Sequence, residues 1–147
     1  MLVLVCPLLL ACGAVDPEDV RLALLEANQA RWESLGPGFY TYAVERLCFC
    51  PAEYRGPVRV TVEDGVAVQR LYVDTGLAPS SEIAPNFPTV QGLFDLVRAA
   101  IEADAFEVRA TYDPTLGVPL DLWIDYDQMV ADEELGMQVT EVVTPAP

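Results

Sequence analysis

The most regular hydrophobic pattern in the chain is an alternation of apolar and polar residues on both sides of Asp64-Gly65. Before this pair, the apolar positions are Val58, Val60 and Val62. A period of two is typical of a strand with one buried face, and an Asp-Gly pair suits the positive φ angles of a tight turn. The pattern therefore predicts a β-hairpin in which the three valines alternate with polar residues along the first strand.

A first helix is predicted to begin at Asp16-Pro17-Glu18-Asp19. This segment offers an N-cap, a first-turn proline and acids suited to the positive end of a helix. Gly36-Pro37-Gly38 cannot continue a helix, so we expect the helix to end before it. The helix is expected to run through Val20, Leu24, Ala27 and Trp32.

A second helix is predicted after Thr89, whose hydroxyl is suited to the N-cap. Apolar residues recur after it at spacings of three and four positions, which gives the helix one apolar face. These residues are Val90, Leu93, Phe94, Val97 and Ile101.

Between the helices, the segment FYTYAVERLCFC is rich in aromatic and β-branched residues. It predicts a strand that Pro51 ends. Alternate side chains of a strand share a face, so we expect one face to carry Tyr40, Tyr42, Val44, Cys48 and Cys50.

Two further strands are predicted in FEVRATYD and VPLDLWIDYD, with a turn at Asp113-Pro114 and Gly117 between them. A last strand is expected from about Met137 to Val143. The expected buried residues are Phe106, Val108, Ala110 and Tyr112 in the first of these strands, and Val118, Leu120, Leu122, Ile124 and Tyr126 in the second.

The predicted element order is therefore α-β-β-β-α-β-β-β. Runs of antiparallel strands interrupted by single helices indicate an α+β fold, here an antiparallel sheet of about six strands with two helices packed on one face. The layout occurs twice, although the two halves show no repeat that can be aligned.

The N-terminal segment MLVLVCPLLLACGAV is an uncharged apolar run, too short to cross a bilayer of roughly 30 Å as a helix. It predicts a secretion signal, although no Lys or Arg precedes the apolar run as the usual signal pattern requires. Leu9-Leu10-Ala11-Cys12 resembles the lipobox of bacterial lipoproteins, which implies that Cys12 carries a lipid. Gly13, in place of aspartate, implies the outer membrane. A buried N-terminal strand or helix is the alternative.

This interpretation divides the chain into four parts. Residues 1–11 are the expected signal peptide, and residues 12–15 are the lipid anchor and a short tether. Residues 16–144 are expected to form a single α+β domain, followed by a disordered tail at residues 145–147. The expected location is the bacterial cell envelope, with the protein facing the periplasm.

Composition restricts the class of function. The chain has 147 residues, of which 52% are hydrophobic, as expected of one folded domain. Its formal net charge is −15, which would repel nucleic acid. It contains no histidine, which excludes Ser-His-Asp and Cys-His nucleophile systems and any His-ligated metal. We expect no cofactor and no catalytic residues.

Cys48 and Cys50, separated only by Phe49, are the first candidate site. An envelope protein faces an oxidising compartment, and the mature body holds no other cysteine, so we expect a structural disulfide between the two. The bond requires a local bend, because residues i and i+2 of a flat strand lie about 6.5 to 7 Å apart. Buried thiols, a redox-active pair and a zinc site completed by carboxylates are the alternatives.

The second candidate site is the acidic segment DLWIDYDQMVADEELG. Oxygen-rich clusters suit calcium, with Asp125, Asp127 and Asp132 as the candidate ligands. However, the EF-hand spacing fails, because Val130 occupies the place that requires glycine and Gly136 the place that requires glutamate. We therefore expect a solvated acidic edge that discourages strand pairing and no metal site.

The third candidate is the connection DTGLAPSSEIAPNFP, which is long for a loop in a small domain. Ile83 and Phe87 are its candidate anchors for a partner protein. The alternative is that both side chains pack back onto the sheet, since loops also bury their own apolar residues.

Taken together, several motifs resemble an uncharacterised family of bacterial lipoproteins, a domain of unknown function. The motifs are Trp32, Tyr40-Thr41-Tyr42, Cys48-Phe49-Cys50-Pro51, Val62-Glu63-Asp64-Gly65-Val66, Phe94, Tyr112-Asp113-Pro114 with Gly117 and Pro119, and Asp132-Glu133-Glu134. The resemblance implies a secreted, anchored single domain with a paired cysteine motif. It transfers no catalytic residue, since the family has no established activity.

Two classes of function follow. The first is a lipid-anchored envelope protein that binds an envelope ligand or partner protein without catalysing a reaction. The second is a thiol-disulfide oxidoreductase that uses Cys48 and Cys50. We favour the first, because no basic feature visible in the sequence activates either thiol.

Overall fold

A computed structural model describes residues 16–145 and confirms the predicted α+β fold and its element order. The elements are α1 (Pro17–Leu35), β1 (Phe39–Leu47), β2 (Val58–Glu63), β3 (Val66–Tyr72), α2 (Val90–Glu102), β4 (Glu107–Tyr112), β5 (Pro119–Asp125) and β6 (Leu135–Val143). The expected signal peptide at residues 1–11 and the expected lipidation site Cys12 lie outside the described residues.

All the strands belong to one six-stranded sheet in the order β3-β2-β1-β6-β5-β4, and every pairing is antiparallel. Each half of the chain contributes a helix and then three sequential strands. The halves meet where β1 pairs with β6, at the centre of the sheet. The core lies between one face of the sheet and the two helices, and Trp32 of α1 contacts Tyr40 of β1 there, with ring centroids 4.9 Å apart.

Helix α1 has the predicted bounds and runs through Val20, Leu24, Ala27 and Trp32. Asp16 caps its start, since Oδ1 accepts a hydrogen bond from Glu18 N at 3.0 Å, and Gly36 ends it in a left-handed conformation. Of these residues only Trp32 is buried, whereas Val20 and Leu24 are 54% and 51% exposed and Ala27 is exposed. The buried side chains are Leu25, Asn28 and Trp32. The first half of this helix carries apolar residues on all its sides. Contacts with α2 and the β4–β5 turn therefore determine which of its faces is buried.

Helix α2 matches the prediction throughout. Thr89 Oγ1 accepts a hydrogen bond from Gly92 N at 3.2 Å, which satisfies one of the free amides at the start of the helix. The predicted apolar positions are all buried: Val90, Leu93, Phe94, Val97 and Ile101.

The hairpin is also confirmed, with Asp64 and Gly65 at positive φ and Val58, Val60 and Val62 fully buried. Strand β1, however, ends at Leu47, so the prediction that it reaches Cys50 was wrong. The chain turns there because Arg46 N donates a hydrogen bond to Arg55 O at 2.6 Å, which returns the chain towards β2.

Two aromatic residues expected in the core are exposed. Phe106 is 55% exposed and Tyr126 is 42% exposed. They lie immediately outside β4 and β5, where Phe106 N donates to Tyr126 O at 3.4 Å. The alternation of apolar and polar residues continues past the ends of these strands. The helices that cover the core do not extend over Phe106 and Tyr126, so both side chains stay exposed.

Candidate functional site

The proline-rich connection between β3 and α2 is packed against the sheet. Phe87 is fully buried, with its ring centroid 6.4 Å from that of Tyr72. Ile83 is half-buried against the core. Phe87 therefore does not serve as an exposed partner anchor, and the alternative in which the loop packs back onto the sheet describes both residues.

Polar side chains of the sheet hold this connection in place. Tyr42 Oη donates a hydrogen bond to Pro88 O, and Arg70 Nε donates to Phe87 O at 2.7 Å. Tyr40 Oη accepts a hydrogen bond from Val90 N at 3.2 Å. Burial raises the pKa of the Tyr42 phenol well above its usual value, so Tyr42 remains a neutral donor. The connection is thereby fixed at the start of α2.

Arg46 also joins the sheet to the connection, but unlike Tyr40, Tyr42 and Arg70 it has a buried donor without a partner. It follows Tyr42 and Val44 on the core side of β1, and its Nη1 donates a hydrogen bond to Asn86 Oδ1 at 3.0 Å. Asn86 is itself oriented, because its Nδ2 donates to Ile83 O at 2.9 Å. The Nε atom of Arg46 is buried and has no hydrogen-bond partner within residues 16–145.

A cavity of about 250 Å³ opens beside Arg46, between α2, the connection and strands β1 and β6. Arg46 and Asn86 supply its polar groups. Its apolar wall includes Pro85, Pro88, Leu96 and Met137. A concave apolar wall with a few convergent polar groups is the usual form of a small-molecule site. We call this cavity, with Arg46 and Asn86, the Arg46 pocket.

A second groove, of about 340 Å³, lies between α1, α2 and the edge strand β4. Its floor is apolar, with Leu24, Val97 and Ile101 among its residues. Arg109 borders it, but the Arg109 guanidinium lies 5.7 Å from the centroid of the Trp123 ring and pairs with Glu107 at 3.0 Å. Arg21 also lines this groove, and its buried Nε has no hydrogen-bond partner within residues 16–145. However, no side-chain hydrogen bond within those residues orients Arg21, whereas Asn86 holds the guanidinium of Arg46.

The two cysteines lie in the turn that follows β1. Their Sγ atoms are at bonding distance, 1.95 Å, and their Cα atoms are 5.3 Å apart, within the usual disulfide range. Both cysteines are half-exposed, and Phe49 between them is 88% exposed. Arg55 lines the same shallow cavity as the pair. The bend expected for this pair is made by the turn after Leu47.

The acidic segment forms a loop at the end of the sheet. Asp127 Oδ1 accepts a hydrogen bond from Met129 N, and Glu133 Oε1 accepts one from Asp127 N at 2.5 Å. Partial desolvation raises the pKa of Asp125, and the nearby carboxylates of Glu133 and Glu134 raise it further. Within residues 16–145, no three acidic or cysteine side chains converge as metal ligands. Asp125, Asp127 and Asp132 are therefore not brought together into a metal site.

The sequence reasoning missed Arg46 and Asn86. A signal was present, because Arg46 occupies the same parity as the buried Tyr42 and Val44 and interrupts an otherwise apolar face. No sequence signal places Asn86 opposite Arg46, since the two residues are 40 positions apart.

No helix in the described part of the chain is long and apolar enough to span a membrane. A family model described as a family of unknown function, DUF6174, matches residues 24–144, which is most of the chain. Neither the curated proteins nor the solved structures contain a match.

Proposed function

The chain belongs to DUF6174, a family of unknown function, and we propose that it is a bacterial envelope protein that binds a ligand or partner without catalysis. In this proposal, a lipid on Cys12 holds it on the membrane. The family match covers the folded domain, so the anchor and the location rest on the sequence of the first fifteen residues.

The support for the anchor is the order of features at the N-terminus. An apolar run ends in Leu9-Leu10-Ala11-Cys12, and α1 begins at Pro17. The folded domain would therefore start within a few residues of the membrane surface. We propose the outer membrane and a periplasm-facing domain, because Gly13 stands where an aspartate would retain a lipoprotein in the inner membrane.

The single observation that carries the binding role is the buried Nε of Arg46, which has no hydrogen-bond partner within residues 16–145 and lies beside an apolar cavity. A partly desolvated charge without a counter-charge costs folding free energy. Such a cost is typical of functional sites, where a ligand supplies the missing interactions.

Native mass spectrometry tests the binding role in protein released from its own membranes with a non-ionic detergent. We expect a fraction of the lipidated chain to carry the added mass of a small molecule. Arg46→Gln should remove that fraction. Arg59→Gln is the matched control, because Arg59 forms an exposed ion pair with Glu141 away from the pocket, and it should retain the fraction. A single unliganded mass for all three proteins would contradict the binding role.

One observation favours the alternative, a thiol-disulfide oxidoreductase. Cys48 and Cys50 are half-exposed beside Arg55, and a neighbouring cation is a feature of reactive cysteines. An enzyme of this class should exchange rapidly with a dithiol and catalyse the reduction of a model disulfide such as insulin. Our proposal predicts no catalysed reduction, and a rate that Cys48→Ser abolishes would favour the enzyme.

A further inference from the structure

The position of Arg46 is unusual for an arginine in a strand. Side chains on the core side of β1 alternate with those on the open face, and the preceding core-side residues, Tyr40, Tyr42 and Val44, are almost completely buried. Arg46 continues this series. Its guanidinium therefore lies under the layer formed by α2 and the proline-rich connection, away from the open face of the sheet.

The hydrogen bonds of Arg46 are incomplete. A guanidinium has five N–H donors, and within residues 16–145 only Nη1 of Arg46 has a partner, Asn86 Oδ1. Desolvation lowers the pKa of Arg46, and no carboxylate opposes that effect. The ion pairs within those residues are Arg59–Glu141, Arg98–Glu26 and Arg109–Glu107. Although the chain has 23 acidic residues, no carboxylate within residues 16–145 forms an ion pair with this inward-facing cation.

A purely structural role does not account for this arrangement. Arg70 shows what such a role requires, because its Nε donates to Phe87 O at 2.7 Å and holds the connection directly. Arg46 uses Nη1 in the same way but leaves its buried Nε unpaired. An unpaired buried donor lowers the free energy of unfolding, because it loses its hydrogen bonds to water without replacement. A ligand that accepts hydrogen bonds from the rest of the guanidinium would remove that cost.

The cavity defines the chemistry of this ligand. Its volume of about 250 Å³ is below the roughly 300 to 1,000 Å³ of sites for drug-sized molecules, so the ligand is small. One cation matches one negative charge, and a planar guanidinium matches a carboxylate in a two-point contact. Pro85, Pro88, Leu96 and Met137 offer an apolar surface to the rest of the molecule.

We propose that the Arg46 pocket binds a small monocarboxylate with a short apolar body, with its carboxylate on Arg46 and its body against Leu96 and Met137. This proposal rests on the binding role proposed above and names its ligand class. It is independent of the anchor at Cys12, because the pocket lies entirely within the folded domain.

Isothermal titration of the full-length protein in a non-ionic maltoside detergent tests the proposal. The probes are butyrate, hexanoate and octanoate, with hexanamide as the uncharged counterpart of hexanoate. We expect saturable binding of at least one of the three carboxylates, and hexanamide to bind at least tenfold more weakly than hexanoate, because it forms no charge-assisted hydrogen bonds. Equal affinities for hexanoate and hexanamide, or no saturable binding of any carboxylate below about 10 mM, would overturn the proposal.

Two variants identify the site. Arg46→Gln should weaken hexanoate binding at least tenfold, whereas Arg59→Gln, which removes the same charge from the surface, should leave it unchanged. Asn86→Asp keeps the Arg46 charge but places a carboxylate against it, so it should also weaken hexanoate binding at least tenfold by competition. Thermal unfolding of each variant establishes that it is folded. Unchanged hexanoate affinity in folded Arg46→Gln or folded Asn86→Asp would overturn the assignment. If no carboxylate binds in the titration but native mass spectrometry still detects a bound small molecule, the ligand class is refuted and the binding role stands.

Discussion

Arg46 of β1 donates a hydrogen bond to Asn86 across 3.0 Å, and this contact joins the centre of the sheet to the proline-rich connection. Asn86 lies in a short 3₁₀ turn, Ala84–Asn86, which leads into α2. The contact therefore positions one wall of the Arg46 pocket relative to the other. It also explains why a long connection with three prolines is part of the packed domain.

The contact between α1 and the β4–β5 turn should be sensitive to a single methyl group. Gly117 has φ +80°, and a Cβ added there would clash with Asn28 O and lie 3.2 Å from Arg31 Cβ. Gly117→Ala should therefore force the turn away from α1 and lower the free energy of unfolding by about 3 kcal/mol, measured by urea denaturation.

Gly76→Ala is the control that measures the cost of placing alanine at a positive φ without a steric clash. Gly76 has φ +69°, but a Cβ there would meet nothing within 4 Å. Gly76→Ala should lower the free energy of unfolding by about 1 kcal/mol, which is the effect of the left-handed conformation alone. Equal losses for the two variants would show that the close approach of Gly117 to α1 does not matter for stability.

Stability should decline at alkaline pH because of Tyr112. Burial raises the pKa of the Tyr112 phenol to about 12, above its ordinary value of 10.0. Between these two values the folded chain keeps a proton that the unfolded chain releases, so the free energy of unfolding falls as the pH rises from 10 to 12. This contribution is fully present below pH 10.

Tyr112→Phe should make that decline less steep, since phenylalanine has no proton to lose and retains a ring for stacking on Phe94, whose centroid is 6.2 Å away. Tyr40 and Tyr42 also have raised pKa values, so part of the decline should remain. Urea denaturation of both proteins at several pH values provides the measurement. Parallel curves for variant and wild type between pH 10 and 12 would contradict the effect assigned to Tyr112.

In protein isolated without a reductant, we expect Cys48 and Cys50 to be bonded to each other. The ring that they close contains only one intervening residue, so its effect on the entropy of the unfolded chain is small. Because β1 ends before the pair and both side chains are half-exposed, each Cys→Ser change should cost only on the order of 1 kcal/mol. Mass spectrometry of the alkylated, unreduced protein detects the bond. Alkylation of both thiols in the folded protein would refute it.

The sequence predicts those features of the fold that depend on local chemistry. The bounds of α1 follow from Asp16 and Gly36, the apolar face of α2 from its spacing, and the hairpin from Asp64-Gly65. The features that it did not predict depend on contacts distant in the chain. Neighbours that include Gly117 determine which face of α1 is buried. The end of β1 is determined by the backbone hydrogen bond from Arg46 N to Arg55 O.

The same distinction applies to the candidate site. The cysteine pair and the acidic segment are contiguous in sequence and were recognised, but the Arg46 pocket is assembled from β1, β6, α2 and the connection. An arginine at a core-facing strand position is a usable signal in the sequence. Its missing counter-charge becomes apparent only when all neighbours of the guanidinium are known.

The proposal that this chain is a lipid-anchored envelope protein is tested most directly by metabolic labelling with a fatty acid in a bacterial host, followed by separation of membranes and mass spectrometry of the N-terminal peptide. We predict that the label enters the protein and that the mature chain begins at a lipid-modified Cys12. Cys12→Ser should abolish both labelling and membrane association, whereas Cys6→Ser should leave both unchanged. Equal labelling and equal membrane association of the Cys12→Ser protein would contradict the account.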